Sequence, residues 1–256
     1  MICIREDIHI LISKETMIEA LKKLVIGDEN DNEPDADLEG TPEDHPCDPV
    51  KMITDGFHYF MKHNYEYKFV PSVARGQHPT FLVFACSDSR VSPSNVLNFQ
   101  PGEAFMVCNV ANLVPVFNQL SYCGVGAVIE YAVKILEVKN ILIIGHSDCG
   151  GIKALMNLPA DASTSNTDFI DNWVKIGLPA KVKVLAEHPN LCPEEQCKIC
   201  EKEAVNLSLV NIQSYPYVRA AMANNSLTLR GGYYDFVNGS FQLWEVQYHI
   251  TDPIYI

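Results

Sequence analysis

The sequence has few basic residues and no long apolar run, and these two absences exclude whole classes of protein. Its 19 Lys and Arg residues stand against 32 Asp and Glu residues, which gives a formal net charge of −13. A nucleic-acid-binding protein presents a basic face to the phosphates, so we expect no nucleic-acid partner. No stretch approaches the ~20 apolar residues of a membrane-spanning helix, so we also expect no membrane partner.

The N-terminal region lacks the features of a targeting segment. Residues 1–24 mix Ile and Leu with charged residues, without the apolar core of a secretory signal or the Arg- and Ser-rich composition of an organellar transit peptide. The spacing predicts a short amphipathic helix at 15–24, and ten acidic residues but no Lys or Arg follow between Asp28 and Asp48. We therefore expect residues 1–48 to form a helix and an acidic flexible arm. We expect a cytoplasmic protein, or a chloroplast protein if a transit peptide is missing from this chain.

The pattern of residues 49–256 predicts one α/β domain. Continuous apolar runs at 80–85, 104–107 and 140–144 are typical of strands buried on both faces of a parallel sheet. Further strands are predicted at 227–229, 232–236 and 241–248, with Asn238-Gly239 as a hairpin turn. Helical spacing predicts helices at 49–66, 121–138, 168–187 and 194–223. The expected fold is α/β: a mixed sheet with a parallel core flanked by helices, preceded by a helical N-terminal arm.

Two of the predicted strands lead directly into polar clusters. Cys86, Asp88 and Arg90 follow the first strand, and His146 and Cys149 follow the third. Ligands of parallel α/β sheets bind beyond the carboxyl ends of the strands, so the two clusters should face one crevice. Cys and His are suitable zinc ligands, and three protein ligands leave one tetrahedral position open, as in catalytic zinc sites. The sequence predicts one zinc ion per chain, held by Cys86, His146 and Cys149.

Asp88 and Arg90 form a second layer of this predicted site. Separated by one residue in an extended segment, they point to the same side, and an Arg can hold a carboxylate with two hydrogen bonds. Asp88 could therefore ligate the zinc as a fourth ligand. Alternatively, Arg90 could hold Asp88 back, where it accepts a hydrogen bond from zinc-bound water. The sequence leaves both arrangements open.

These motifs, Cys-x-Asp-x-Arg and His-x-x-Cys, resemble those of the β-class carbonic anhydrases, and of the plant enzymes most of all. The segments FACSDSRVSPSNVLNFQPGEAF, GVGAVIEYAV, IGHSDCGGIKAL and CEKEAVN occur in the same order as in the plant family. The resemblance covers about residues 50–250. It implies the β-carbonic-anhydrase fold and a lyase that hydrates carbon dioxide reversibly to bicarbonate and a proton, by attack of zinc-bound hydroxide on CO2, in carbon utilization.

The resemblance also implies roles for particular residues. The zinc ligands are Cys86, His146 and Cys149, and the catalytic dyad is Asp88 and Arg90. Gln77 matches a glutamine that binds bicarbonate, and the residues that match an apolar CO2 pocket, shared across a dimer interface, are Phe105, Val110 and Tyr131. The partner is thus a second copy of the chain, with homodimers assembling to an octamer through the strand at 241–248.

Two alternatives remain beside this interpretation. One is a hydrolase of carbon disulfide or carbonyl sulfide on the same fold, and the other is a zinc-stabilised protein that binds bicarbonate or a small acid with little turnover. Cys108 favours the second, because an Arg is usual there in the plant family, and Ser92 and Asn95 also depart from the family pattern. Cys192, Cys197 and Cys200 are spaced like zinc ligands, but only three cysteines cluster there and His188 is the one histidine close by. The plant family carries similar cysteines without a second metal, which favours a structural or redox-sensitive role.

Overall fold

Six strands form one mixed sheet in the part of the chain that the structure, a computed structural model, describes: residues 48–65, 76–117, 124–159, 167, 169–246 and 254–255. The spatial order is β2-β1-β3-β4-β5-β6. The first four strands of that order run parallel, and β5 and β6 are antiparallel to their neighbours. The strands are β1 Phe81–Cys86, β2 Ala104–Asn109, β3 Asn140–His146, β4 Thr228–Asp235, β5 Ser240–Val246 and β6 Ile254–Tyr255.

The sheet confirms the predicted parallel core and differs from the prediction in three details. Strands β1 and β3 extend as far as Cys86 and His146. The predicted strands at 227–229 and 232–236 are one strand, β4, because Gly231 and Gly232 do not interrupt it. A Cβ on Gly231 would overlap the Trp244 indole, and one on Gly232 would lie 2.8 Å from the Phe241 ring. These glycines therefore make room for large side chains of β5. Strand β6 was not predicted.

Helices form in the predicted segments, although the longer ones are broken. Two further helices, Pro93–Val96 and Gly150–Asn157, were not predicted. The predicted helix at 194–223 ends at Ile212 and begins again at Pro216, whose ring nitrogen carries no N–H for a continuous helix. The segment at 168–187 likewise divides at a 3-10 turn over Lys175–Gly177. The helices are α1 Pro49–Phe60, α2 Pro93–Val96, α3 Gly124–Glu130, α4 Gly150–Asn157, α5 Ile170–Val174, α6 Leu178–Glu187, α7 Pro193–Ile212 and α8 Pro216–Ala223.

Two of the described helices continue into π-helical turns. Met61–Tyr65 continues α1, and Tyr131–Ile135 continues α3. The chain divides into two compact units, Met1–Ile53 and Thr54–Ile256. The predicted helix at 15–24 and the acidic arm lie outside the described residues. None of the helices in the described part of the chain has the length and apolar character needed to span a bilayer.

Apolar side chains cover both faces of the parallel strands. Leu82 and Phe84 of β1 belong to a core with side chains of α3, α7 and α8. Val83, between them, belongs to a second cluster on the opposite face. Strands buried on both faces explain why their sequences are continuously apolar. A third cluster surrounds Cys86 and Cys149 with side chains of α4 and α6, and it places both sulfurs in an apolar environment.

Candidate active site

Three side chains converge at the carboxyl ends of β1 and β3. Cys86 and His146 are the last residues of these strands, and Cys149 directly precedes α4. One potential ligand atom from each lies within 4.8 Å of the others, and all three residues are buried. The two sulfurs are 4.0 Å apart. The predicted metal-ligand set is thus brought together in one chain.

The orientation of His146 suits a metal ligand. Its Nδ1 donates a hydrogen bond to the main-chain carbonyl of Ser147 over 2.8 Å, because a carbonyl can only accept. The lone pair is then on Nε2, which is buried without a hydrogen-bond partner among the described residues. A buried polar atom without a partner is costly, and a metal ion would satisfy it. One imidazole and two thiols form a donor set that fits Zn²⁺.

The two cysteines are coupled through a hydrogen bond. The Cys149 thiol donates to the Cys86 sulfur and lowers the pKa of Cys86 to about 4. The same hydrogen bond, together with burial, raises the pKa of Cys149. Cys86 is therefore the thiol that ionises more readily, and a bound metal would displace the protons of both cysteines, since the ligand form of cysteine is the thiolate.

Asp88 is held by Arg90 through three hydrogen bonds. Arg90 Nε donates to Oδ1 over 2.9 Å and Nη2 to Oδ2 over 2.7 Å, while the Arg90 main-chain N–H donates to Oδ1 over 3.0 Å. The guanidinium itself lies over the Phe236 ring, 4.3 Å from its centroid. Hydrogen bonding to Arg90 holds the pKa of Asp88 well below its usual range. Of the two arrangements that the sequence left open, the structure has the one in which Arg90 holds the carboxylate.

The turn that carries Cys149 is fixed by contacts that the sequence did not predict. The Ser147 N–H donates to the Tyr234 carbonyl over 3.0 Å, and Ser147 Oγ accepts from the Phe236 N–H over 3.1 Å. Asp148 has a φ of 59°, in the left-handed region, so the chain reverses sharply just before Cys149. Asp148 also forms ion pairs with Lys153 and, over 3.5 Å, with Arg90.

A buried carboxylate lies behind this turn. Glu201 Oε1 accepts a hydrogen bond from the Cys149 N–H over 3.1 Å, and Oε2 accepts one from the Tyr233 hydroxyl over 2.7 Å. Burial raises the pKa of Glu201. Sequence reasoning missed both residues. The available signal was an acidic residue, at the start of the CEKEAVN segment, that falls on the buried side of a long helix.

The predicted substrate residues divide into two places. Val110 lies at the metal end of the sheet, because its Cγ1 is 2.8 Å from where a Cβ on Gly151 would be. Phe105 and Tyr131 contact each other, with ring centroids 5.7 Å apart. Phe105 lies four residues before the β2 residue that pairs with Cys86, which is roughly 13 Å along the strand at about 3.3 Å per residue. One chain therefore brings Val110, but not the ring pair, to the ligands.

The remaining residues singled out in the sequence lie at the surface or in the core. Gln77 is exposed, just before β1. Cys108 is exposed on β2, opposite Ala85. Cys192 precedes α7 as its exposed capping residue, whereas Cys200 is fully buried within that helix.

A cavity of about 620 Å³ lies on the Glu201 side of the turn. Its lining includes Asp148, Lys153, Glu201 and Tyr233, but it does not include Cys86, His146 or Cys149. The cavity therefore does not open onto the three potential ligand atoms.

Comparison with known proteins identifies the family. The carbonic anhydrase family model matches residues 81–241. The chain is 50% identical over 206 residues to beta carbonic anhydrase 3 of Arabidopsis thaliana. The matched residues cover 80% of each sequence. The solved β-carbonic anhydrase CcaA is 26% identical with a TM-score of 0.73, over 80% of this chain and 92% of that one.

Another similar structure is that of tetrameric β-carbonic anhydrases from Sordaria macrospora, with 26% identity and a TM-score of 0.64, over 79% of this chain and 95% of that one. The similarity to these enzymes extends over nearly all of the described domain, and it includes the strands that end in Cys86 and His146. This chain is a member of the β-class carbonic anhydrases.

Proposed function

We propose that this protein catalyses the reversible hydration of carbon dioxide to bicarbonate and a proton at a zinc ion held by Cys86, His146 and Cys149. The observation that carries the proposal is the convergence of three buried ligand atoms within 4.8 Å, one of them a nitrogen without a hydrogen-bond partner. Membership of a family of zinc-dependent lyases supports it.

The donor set indicates how such a site would behave. Zinc in such a site supplies a nucleophile at neutral pH by lowering the pKa of a water molecule. Two thiolates donate more negative charge than the three neutral imidazoles of other zinc hydratases, which makes that water less acidic. We therefore expect the activity to rise on the alkaline side of neutrality.

In this proposal Asp88 orients the attacking water. The ion pair with Arg90 keeps Asp88 ionised, and an ionised carboxylate can only accept hydrogen bonds. Asp88 therefore accepts from the nucleophile and directs its lone pair toward CO2. Arg90 acts by holding Asp88 in this orientation and by preventing it from moving toward the metal.

The substrate would bind on the Asp88 side of the site. Val110 supplies one apolar wall, and Gln77 is proposed to bind bicarbonate. Phe105 and the half-exposed Tyr131 are proposed to complete the CO2 pocket of a partner chain, since they lie too far along β2 to complete the pocket of their own. The proposal is therefore a homodimer, and the tetrameric relatives show that assembly beyond the dimer occurs in the family.

Three further parts of the proposal concern the whole protein. We propose that dimers assemble to an octamer, that the enzyme works in the cytoplasm and contributes to carbon utilization, and that residues 1–48 form an arm outside the catalytic domain at 49–256. The chloroplast is the alternative location.

The experiment combines zinc content with stopped-flow CO2 hydration for the wild-type chain, Cys149→Ser and Cys192→Ser. We expect about one zinc per wild-type chain and fast hydration. Cys149→Ser should lose both, because it removes a ligand, whereas Cys192→Ser changes an exposed cysteine and should lose neither. A wild-type protein that is fully loaded with zinc but hydrates CO2 no faster than buffer would refute the proposal, and carbonyl sulfide would then be the next substrate to assay.

A further inference from the structure

Cys149 differs from the other two ligands in how its main chain is held. Cys86 and His146 are each the final residue of a strand and are fixed by pairing in the sheet. Cys149 lies outside the sheet, directly after Asp148 with its positive φ of 59°. A ligand on such a turn needs another constraint if its sulfur is to stay 4.0 Å from that of Cys86.

Glu201 supplies this constraint from a distant part of the chain. Its Oε1 accepts the main-chain N–H of Cys149 itself, across 52 residues of sequence. Its Oε2 is fixed by the Tyr233 hydroxyl over 2.7 Å. Glu201 is only 3% exposed, so both contacts are shielded from water. A carboxylate buried this deeply is costly unless both oxygens have donors, and here they do.

The position of Glu201 depends on a glycine next to a metal ligand. Helix α7 passes so close to β3 at Gly145 that a Cβ there would lie 2.7 Å from Val205 Cγ2 and 3.2 Å from the Glu201 main-chain carbonyl. Gly145 also pairs with Tyr233 in the sheet. Glu201 and Tyr233 therefore meet beside the residue that precedes His146. The close approach of α7 to β3 delivers the carboxylate to the Cys149 turn.

From this geometry we infer that Glu201 is a positioning residue of the metal centre, which holds the Cys149 turn so that its sulfur faces the metal. The inference rests on the proposed zinc site. It requires the reach of the Glu201 side chain and its acceptor oxygen, and it does not require the negative charge. This positioning role can therefore be distinguished from a general effect of charge near the metal and from a packing role in α7.

Four variants separate these possibilities. Glu201→Ala removes the acceptor, and Glu201→Asp keeps the charge but shortens the side chain by one methylene group. Glu201→Gln keeps the reach and an acceptor oxygen for the Cys149 N–H, and its amide can donate to the Tyr233 oxygen. Glu203→Ala is the matched control, because Glu203 lies on the same helix but pairs with Lys183 at the surface over 2.7 Å.

The readouts are zinc affinity, measured by competition with a chromogenic chelator, and the sulfur-to-metal charge-transfer absorption of the Co²⁺-substituted protein. Loss of a residue that orients a metal ligand typically costs about 10–100-fold in metal affinity, and we expect this of Glu201→Ala and Glu201→Asp. Their cobalt absorption should change as well, whereas Glu201→Gln and Glu203→Ala should resemble the wild type. Thermal unfolding of the zinc-free proteins reports separately on packing.

Several outcomes would overturn the inference. If Glu201→Asp binds zinc like the wild type, the reach of the side chain is irrelevant. If Glu201→Gln is as weak as Glu201→Asp, the charge acts instead of the contact. If the variants lose thermal stability but keep the wild-type zinc affinity and cobalt spectrum, the role is one of packing alone. Should Glu201→Ala fail to fold, the Asp and Gln variants still decide between these outcomes. A wild-type chain that binds no zinc would contradict the proposed function itself.

Discussion

Two carboxylates flank the metal site, and their surroundings are opposite. Asp88 lies at the solvent edge, where a cation, Arg90, holds it and keeps the pKa of its carboxyl low. Glu201 lies in the interior, where neutral donors hold it and burial raises its pKa. The comparison teaches that the surroundings of each carboxylate, and not its chemical type, determine its role. The outer carboxylate is an ionised acceptor that reactants can reach, whereas the inner one is committed to the protein's own main chain.

The largest expected effect comes from the outer carboxylate. Asp88→Asn should lower kcat/KM for CO2 hydration by about 10²-fold, because an amide no longer acts as a pure acceptor beside the nucleophile. Zinc content should stay near that of the wild type, since Asp88 is not among the three grouped ligands. Stopped-flow assays and metal analysis of the same samples test both statements.

The control for this variant is Glu203→Gln, which makes the same change from carboxylate to amide at an ion pair with Lys183 on α7. This change should leave the turnover unchanged. An Asp88→Asn enzyme as fast as the wild type would remove Asp88 from the mechanism. A variant that loses zinc would show that the outer carboxylate, like the inner one, supports the ligands.

Substitution of Gly145 tests the Glu201 side of the metal site without changing a polar side chain. In Gly145→Ala the new methyl group would overlap Val205 and force α7 away from β3. Overpacking of this kind costs about 1–3 kcal/mol of unfolding free energy, which urea denaturation measures. Because α7 carries Glu201, zinc release to a chelator should also become faster.

Gly150→Ala is the matched control, because no atom lies within 4 Å of the added Cβ apart from its chain neighbours and the nearby backbone of α4. Its stability should stay within about 0.5 kcal/mol of the wild type, since an added methyl group there meets nothing. Equal losses in the two variants would indicate that the close approach of α7 at Gly145 has no special importance. A destabilised Gly145→Ala protein with unchanged zinc release would separate the packing of α7 from the Cys149 turn.

The sequence was sufficient for the parts of the site that depend on local pattern. Continuous apolar runs predicted β1 and β3, and the polar residues that end them predicted Cys86 and His146 at one edge of the sheet. It was insufficient where partners are far apart in the chain. Glu201 looks like one more acidic residue of a long helix, and only the packing of α7 at Gly145 brings it to Cys149.

Two further differences between the sequence-based expectations and the structure also arise from contacts between residues that are far apart in the chain. The strands predicted at 227–229 and 232–236 are one strand, in which Gly231 and Gly232 accommodate Trp244 and Phe241 of β5, and neither contact is visible in local sequence. Phe105 matched a residue of the CO2 pocket, yet register places it about four residues, roughly 13 Å, from the metal end of β2. Family resemblance supplied both the residue and a pocket shared across a dimer interface, and the register of β2 supports the proposal that Phe105 serves the site of a second chain.

The smallest expected effect concerns the far end of the helix that begins after Cys149. Lys181 is buried, and its Nζ donates to the carbonyls of Leu155 and Leu158 at the C-terminus of α4, over 3.2 and 2.6 Å. Lys181→Met keeps an apolar stem but loses these bonds, which should cost about 1 kcal/mol at pH 8. Urea unfolding under reducing conditions, with the wild type as reference, measures the loss.

Raising the pH should widen this gap in stability. Burial lowers the pKa of Lys181, so between its folded pKa and the unfolded value of about 10.4 the unfolded chain binds more protons than the folded one. The unfolding free energy of the wild type should therefore rise with pH relative to that of Lys181→Met, in which this residue does not titrate. The thiols and tyrosines common to both proteins cancel in the difference. If the difference in unfolding free energy stays constant up to pH 10, the Lys181 amine has the same pKa in the folded and the unfolded chain. Burial beneath α4 would then not disfavour its charged form, and the interior there would tolerate a charge as well as the Asp88 side of the site does.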